Sequence, residues 1–136
     1  MNWMTCTLSA TALYGVWGVL SKMASNRIGH KSLFIYDCLV FCVGGLVAFC
    51  LNGFKIETSP SGIFYSVLYG ASGMIATFLF IVAISKGNAS LVTAITAVYP
   101  CVTILLAMLL FKEAITVKQV VGIALSIVGV GLMTIK

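Results

Sequence analysis

Charged side chains are scarce in this sequence. Of its 136 residues, 8% are Asp, Glu, Lys or Arg, whereas 61% are hydrophobic. A soluble globule of this size needs many more charges to coat its surface. The mean hydropathy of +1.15 is correspondingly high. The composition therefore excludes an ordinary soluble domain and predicts an integral membrane protein surrounded by the lipid bilayer.

Groups that carry out chemistry are also few. The sequence has three acidic residues and one histidine, His30, which lies in a predicted loop, and it has no GxxxxGK[ST] loop. The acids form no carboxylate pair or nucleophile–base set, which argues against an enzyme. The five cysteines lie in apolar segments without a CxxC motif, which favours packing over metal binding. We therefore expect no catalytic residues, metal or cofactor, and no direct drive by ATP.

The basic residues form no continuous patch. The net charge is +5, but the eight lysines and arginines are spread singly along the chain. A nucleic-acid surface needs a basic stripe, whereas single lysines at helix ends reach the membrane interface by snorkelling. We expect no nucleic-acid partner.

Five apolar segments predict five transmembrane helices. They lie at about residues 3–23, 33–51, 62–84, 90–111 and 119–135. At about 1.5 Å per residue each spans most or all of a hydrocarbon core about 30 Å thick. No repeat or linker divides the chain, so residues 1–136 are predicted to form a single all-α membrane domain.

The fourth segment contains Tyr99-Pro100. Proline cannot donate to the carbonyl four residues earlier, on Thr96, and its ring displaces the preceding turn. We therefore predict a helix kink at Pro100. Bent helices at the middle of the membrane are where transporters place substrate sites, which makes Thr96 and Tyr99 candidate cavity residues.

The fifth segment spaces small residues at four and three positions: Gly122, Ser126 and Gly129. Small residues on one helix face allow a second helix to approach closely, which drives association where lipid offers no hydrophobic gain. We predict that this face packs against another helix.

Asp37 is the one acid inside a predicted membrane segment. An aspartate at a helix centre costs about 2.5 to 3.5 kcal/mol on insertion scales, so it needs a partner or a water-filled surrounding. Counting along the helical hairpin places Lys22 at a similar depth, which predicts an Asp37–Lys22 ion pair. A pair with Lys31 at the membrane interface is the alternative.

The end of the chain resembles the EamA-type domain of the drug/metabolite transporter superfamily. The resemblance rests on a string that runs from Ala94 through Tyr99-Pro100, Phe111-Lys112-Glu113, Thr116, Gln119 and Gly122 to Gly129-Val130-Gly131. In the first helix, Tyr14-Gly15-Val16-Trp17-Gly18 also looks like the family's small-aromatic motif, which faces the central cavity. Lipid-facing positions for Tyr14 and Trp17 are the alternative.

The resemblance implies one half of a ten-helix transporter fold, since family members usually carry two such domains as an inverted repeat. It therefore implies a homodimer, with an antiparallel pair favoured over a parallel one. The implied function is gradient-driven transport of a small metabolite, amino-acid-like compound or drug-like compound. A membrane scaffold or accessory subunit that moves nothing is the alternative. The expected cavity residues are Tyr14, Trp17, Asp37, Thr96 and Tyr99.

The positive-inside rule gives the expected orientation in the cell membrane. One side holds Lys22, Arg27, Lys31, Lys86 and Lys136, and the other holds Lys55, Lys112 and Lys118. Five against three favours the N-terminus outside and the C-terminus inside. The small difference makes insertion in both orientations a second expectation.

Overall fold

The computed structural model describes residues 2–112 and 114–135. Six helices and no strands occur in these two ranges, which confirms the all-α class. The helices are α1 (Trp3–Ser25), α2 (His30–Leu51), α3 (Pro60–Lys86), α4 (Ala89–Thr96), α5 (Tyr99–Phe111) and α6 (Val117–Thr134). Glu113 and Lys136, which the sequence analysis uses, lie outside the described residues.

Within the described residues, four segments are long and apolar enough to cross a bilayer. They are α2, α3, α4 together with α5, and α6. The first helix, also predicted to cross, has 23 residues but is not one of these four. The structure therefore agrees roughly with five membrane helices, and the crossing by α1 stays a prediction.

Threonines make α1 less apolar than the other helices. The hydroxyl groups of Thr5, Thr7 and Thr11 donate to the carbonyls of Asn2, Trp3 and Thr7 at 2.7–2.9 Å. A hydroxyl that bonds to its own helix needs no water. The threonines therefore lower the hydropathy of α1 without leaving unsatisfied donors on its surface.

The helix that contains Pro100 is interrupted rather than continuous. The α4 helix ends at Thr96 and α5 begins at Tyr99. Between them, Ala97 and Val98 have ψ angles of −3° and −10°, close to those of a tight turn. Pro100, in the first turn of α5, has no N–H group to donate to the Thr96 carbonyl. The interruption lies where this bond is missing.

The last helix begins two residues earlier than the sequence predicts. Thr116 caps it by accepting a hydrogen bond from the Gln119 N–H at 3.4 Å, while the Gln119 side chain accepts from the Thr116 N–H at 2.8 Å. This reciprocal capping box satisfies two N–H groups that have no partner within the helix. It starts α6 at Val117 and places Lys118 inside the helix rather than in the turn.

The chain divides into two compact units between Lys86 and Gly87. In the first unit, α3 contacts both α1 and α2, and α1 contacts α2. The last turns of α3 form the core, because Ile81 and Ile84 are buried there. Aromatic pairs flank them: Phe80 stacks on Trp17 at 4.8 Å, and Phe78 meets Phe34 edge-on at 5.2 Å.

His30 belongs to a helix rather than to the loop that the sequence predicts. It is the first residue of α2, and its ring centroid lies 6.3 Å from that of Phe78 in an edge-on arrangement. Gly29 precedes it with extended backbone and serves as the N-cap. The α1–α2 loop is therefore shorter than predicted.

In the second unit, α4 packs against α6. Gly122, Ser126 and Gly129 are exposed on α6, and a Cβ atom added at either glycine would have no neighbour within 4 Å. The small-residue face is therefore open to another helix, and its predicted packing stays a prediction.

The buried end of α3 makes a stability prediction. Replacing Ile84, which is fully buried, with alanine should lower the free energy of unfolding by about 2 kcal/mol because it leaves a cavity between the helices. Ile75→Ala is the matched control, since Ile75 lies on the same helix and is 63% exposed. Thermal unfolding in detergent should show a lower midpoint for Ile84→Ala alone, and equal midpoints would contradict this core.

Candidate functional site

A cavity of about 180 Å³ lies between the helices of the first unit. All three helices contribute to its wall, which is mainly apolar. The lining residues are Trp17, Leu20, Ser21, Ala24, Leu33, Asp37 and Ile81. Two of the predicted cavity residues, Trp17 and Asp37, therefore meet in one space.

Asp37 is held at the cavity by the packing of α2 against its neighbours. The residue is half-buried. Trp17, on α1, lines the same cavity. Its indole ring stacks on Phe80 of α3, which holds the ring in place. An acid inside a membrane helix thus lies at a cavity rather than against lipid, as its insertion cost requires.

Ser21 also lines the cavity, although it is not one of the expected cavity residues. It is 7% exposed, and its Oγ atom has no hydrogen-bond partner in the described structure. An unsatisfied buried hydroxyl costs about 1–3 kcal/mol. Its spacing gives the available signal, because Ser21 lies four residues after Trp17 and therefore shares its helix face.

Four other helical serines have a hydrogen-bond partner that Ser21 lacks. They donate to backbone carbonyls of their own helices, at 2.8–2.9 Å: Ser25, Ser72, Ser85 and Ser126. Such backbonding is the ordinary way to satisfy a serine inside an apolar helix. The Ser21 Oγ atom instead is buried without a partner, in a residue that lines the cavity.

Lys22 has a partner that the hairpin count did not consider. Its Nζ atom donates to the Ile84 carbonyl at 2.9 Å. Carbonyls in the last turn of a helix lack helical donors, and a lysine is favoured there by the helix dipole. Lys22 therefore joins α1 to the end of α3, and the predicted ion pair with Asp37 stays a prediction.

The cavity lies nearer to one end of the unit than to the other. Trp17 lies eight residues before the end of α1, and Asp37 lies seven residues after the start of α2. At about 1.5 Å per residue these positions are about 12 Å and 10 Å from the helix ends. The same end carries four basic residues: Lys22, Arg27, Lys31 and Lys86.

The remaining predicted cavity residues lie elsewhere. Tyr14 is on α1 but is 68% exposed, and it does not line this cavity. Thr96 and Tyr99 belong to the second unit, where both are exposed. The Thr96 hydroxyl donates to the Val92 carbonyl at 2.8 Å. The roles of these three residues stay predictions.

The bundle of apolar helices with a carboxylate-lined cavity defines a multi-pass membrane protein, and its family follows from sequence comparison. Residues 1–135 match the model of the EamA-like transporter family. The chain belongs to this family, which confirms the resemblance seen at the end of the sequence. The family is one of membrane transporters rather than of typical enzymes.

A protein from Methanocaldococcus jannaschii is similar to this chain along nearly its whole length. The two are 32% identical over 133 residues, which cover 95% of this chain and 93% of the relative. That relative is described as uncharacterized, so it adds no substrate. No solved structure matches the chain.

The unpartnered Ser21 hydroxyl makes a stability prediction. Ser21→Ala removes a buried polar group that has no bond to lose, so the free energy of unfolding should stay equal or rise by up to about 1 kcal/mol. Ser85→Ala is the matched control, because it removes the bond to the Val82 carbonyl and should cost about 0.5–1.5 kcal/mol. Unfolding in detergent compares them, and a loss in Ser21→Ala as large as in Ser85→Ala would contradict the assignment.

Proposed function

We propose that this protein is a secondary transporter that moves a small metabolite, amino-acid-like compound or drug-like compound across the cell membrane. Membership of the EamA-like transporter family over residues 1–135 is the observation that carries the proposal. The half-buried Asp37, on the wall of a cavity between apolar helices, supports the proposal. A proton gradient or the gradient of the substrate itself supplies the energy.

Asp37 attracts a cationic group or exchanges a proton during transport. Ionisable residues in membrane segments face cavities and mark substrate or proton pathways. The cavity at Asp37 satisfies the first part of that rule. This position makes Asp37 the strongest candidate for coupling.

Transport requires two copies of the chain. Alternating access proceeds by motion of one bundle against another about the site, and family members usually contain two domains of this type. One domain of 136 residues therefore corresponds to half of a ten-helix fold. We favour an antiparallel homodimer, which reproduces an inverted repeat, and the open small-residue face of α6 is a candidate contact surface.

The proposed orientation places the α1–α2 loop and the end of α3 in the cytoplasm. Four basic residues lie at this end of the first unit. The N-terminus is then outside and the C-terminus inside, and an antiparallel dimer requires that a fraction of copies insert the opposite way.

Asp37→Asn tests the transport mechanism. In proteoliposomes with an imposed proton gradient, uptake from a panel of radiolabelled amino acids and alkylamines should fall at least about tenfold, because the amide lacks the charge and the exchangeable proton. Glu57→Gln is the matched control, since it removes the same charge from an exposed loop residue. Unchanged uptake with unchanged pH dependence in Asp37→Asn would remove Asp37 from the mechanism.

The assembly is tested in lipid. The protein in nanodiscs should have the mass of a dimer by native mass spectrometry, since one bundle lacks the second body that alternating access needs. An N-terminal tag in sealed proteoliposomes should be cleaved in about half of the copies of each dimer if the pair is antiparallel. A monomer in lipid that still carries out transport would overturn the dimer proposal. A stable complex with an unrelated protein, and no transport, would favour a scaffold.

A further inference from the structure

We propose that the cavity binds the primary ammonium group of a short alkylamine, with Asp37 as its counter-ion and Ser21 as its hydroxyl acceptor. As a statement about substrate, this inference rests on the proposed transport function. As a statement about a binding site, it stands on the geometry of the first unit alone.

The polar groups of the cavity match an ammonium group. Asp37 supplies carboxylate oxygens, and the Ser21 Oγ atom is buried at the wall without a partner. An ammonium group has N–H donors and no acceptor, so it can donate to the Asp37 carboxylate and to the Ser21 Oγ atom at once.

The apolar residues of the wall indicate that the rest of the ligand is apolar. Leu20, Ala24, Leu33 and Ile81 surround the two polar groups and suit a short aliphatic chain. The cavity has a volume of about 180 Å³. This size accommodates an amine with a few carbon atoms.

The cavity offers no matching site for a carboxylate. None of the described residues that line it is basic. The nearby Lys22 ammonium group is bound to the Ile84 carbonyl, at the end of α3. A free amino acid would bring its carboxylate into an apolar wall, where an unpaired charge is strongly disfavoured. The site therefore selects alkylamines over amino acids.

Trp17 provides the readout because it lines the cavity, and the sequence has one other tryptophan, Trp3, which is 74% exposed. The full chain carrying Trp3→Phe is placed in nanodiscs, and its fluorescence is titrated with propylammonium. Propanol, alanine and tetramethylammonium are titrated in parallel. We expect a saturable change with propylammonium and none with propanol or alanine at the same concentrations. Tetramethylammonium, which has no N–H group, should bind at least about fivefold more weakly.

Two variants test the named partners. Ser21→Ala should weaken propylammonium binding by about five- to tenfold, and Asp37→Asn by at least about thirtyfold. Ser85→Ala should leave the affinity unchanged, because Ser85 is bonded within α3 and does not line the cavity. The comparison among the four ligands in the Trp3→Phe protein tests the site even if a variant fails to fold.

Several outcomes would overturn the inference. Absence of a saturable signal with propylammonium would show that the cavity does not bind the ammonium group. Equal binding of propylammonium and tetramethylammonium refutes the role of Ser21, and equal binding of alanine refutes the selectivity. Binding without propylammonium uptake into proteoliposomes overturns the transport proposal and leaves the site intact. Uptake that is unaffected by Ser21→Ala and gives no Trp17 signal overturns the site and leaves transport intact.

Discussion

The need to satisfy polar groups without water governs this chain. In the hydrocarbon core of a bilayer, an N–H, carbonyl or hydroxyl group without a hydrogen-bond partner costs several kcal/mol. Each such group therefore needs a hydrogen-bond partner inside the protein. The threonines of α1 bond to their own helix, and Lys22 bonds to the last turn of α3. Among the buried polar side-chain atoms of the described residues, the Ser21 Oγ atom is the exception, and Ser21 lines the cavity that Asp37 also lines.

The lipid surroundings explain why so little of the molecule is buried. Ile81 and Ile84 are the fully buried large side chains of the described residues, while every helix exposes large apolar side chains. Lipid solvates such side chains as well as a protein core does, so helix association depends on close packing and on a few polar contacts. The end of α3 supplies both through its isoleucines, the Phe80–Trp17 stack and the Lys22 bond.

The sequence contains the signals for the helices because length and hydropathy are local properties. It also contains the signal for the interruption, since the missing donor of Pro100 is fixed by its position. Hydropathy alone predicts a start of α6 that is two residues too late, because the apolar run begins after the capping box formed by Thr116 and Gln119. The sequence predicts that Trp17 and Asp37 both line a cavity, and the structure brings them to one, while their role in transport is a proposal.

The partner of Lys22 and the unpartnered state of Ser21 cannot be predicted from the sequence in the same way. The hairpin count compared the depths of α1 and α2 alone, whereas the acceptor for Lys22 lies on α3. Whether a serine bonds to its own backbone or faces a cavity depends on its rotamer and on the neighbouring helices, which no spacing rule specifies.

The off-centre depth of the cavity gives the two possible dimers different topographies. Each copy carries its carboxyl group about 10 Å from the basic end of its helices. Two copies with the same orientation would hold both carboxyl groups near the same face of the membrane, so ligand would reach both sites more easily from one compartment. Two copies of opposite orientation would hold one carboxyl group near each face. The dimer would then present the same surface to both compartments and could bind ligand from either.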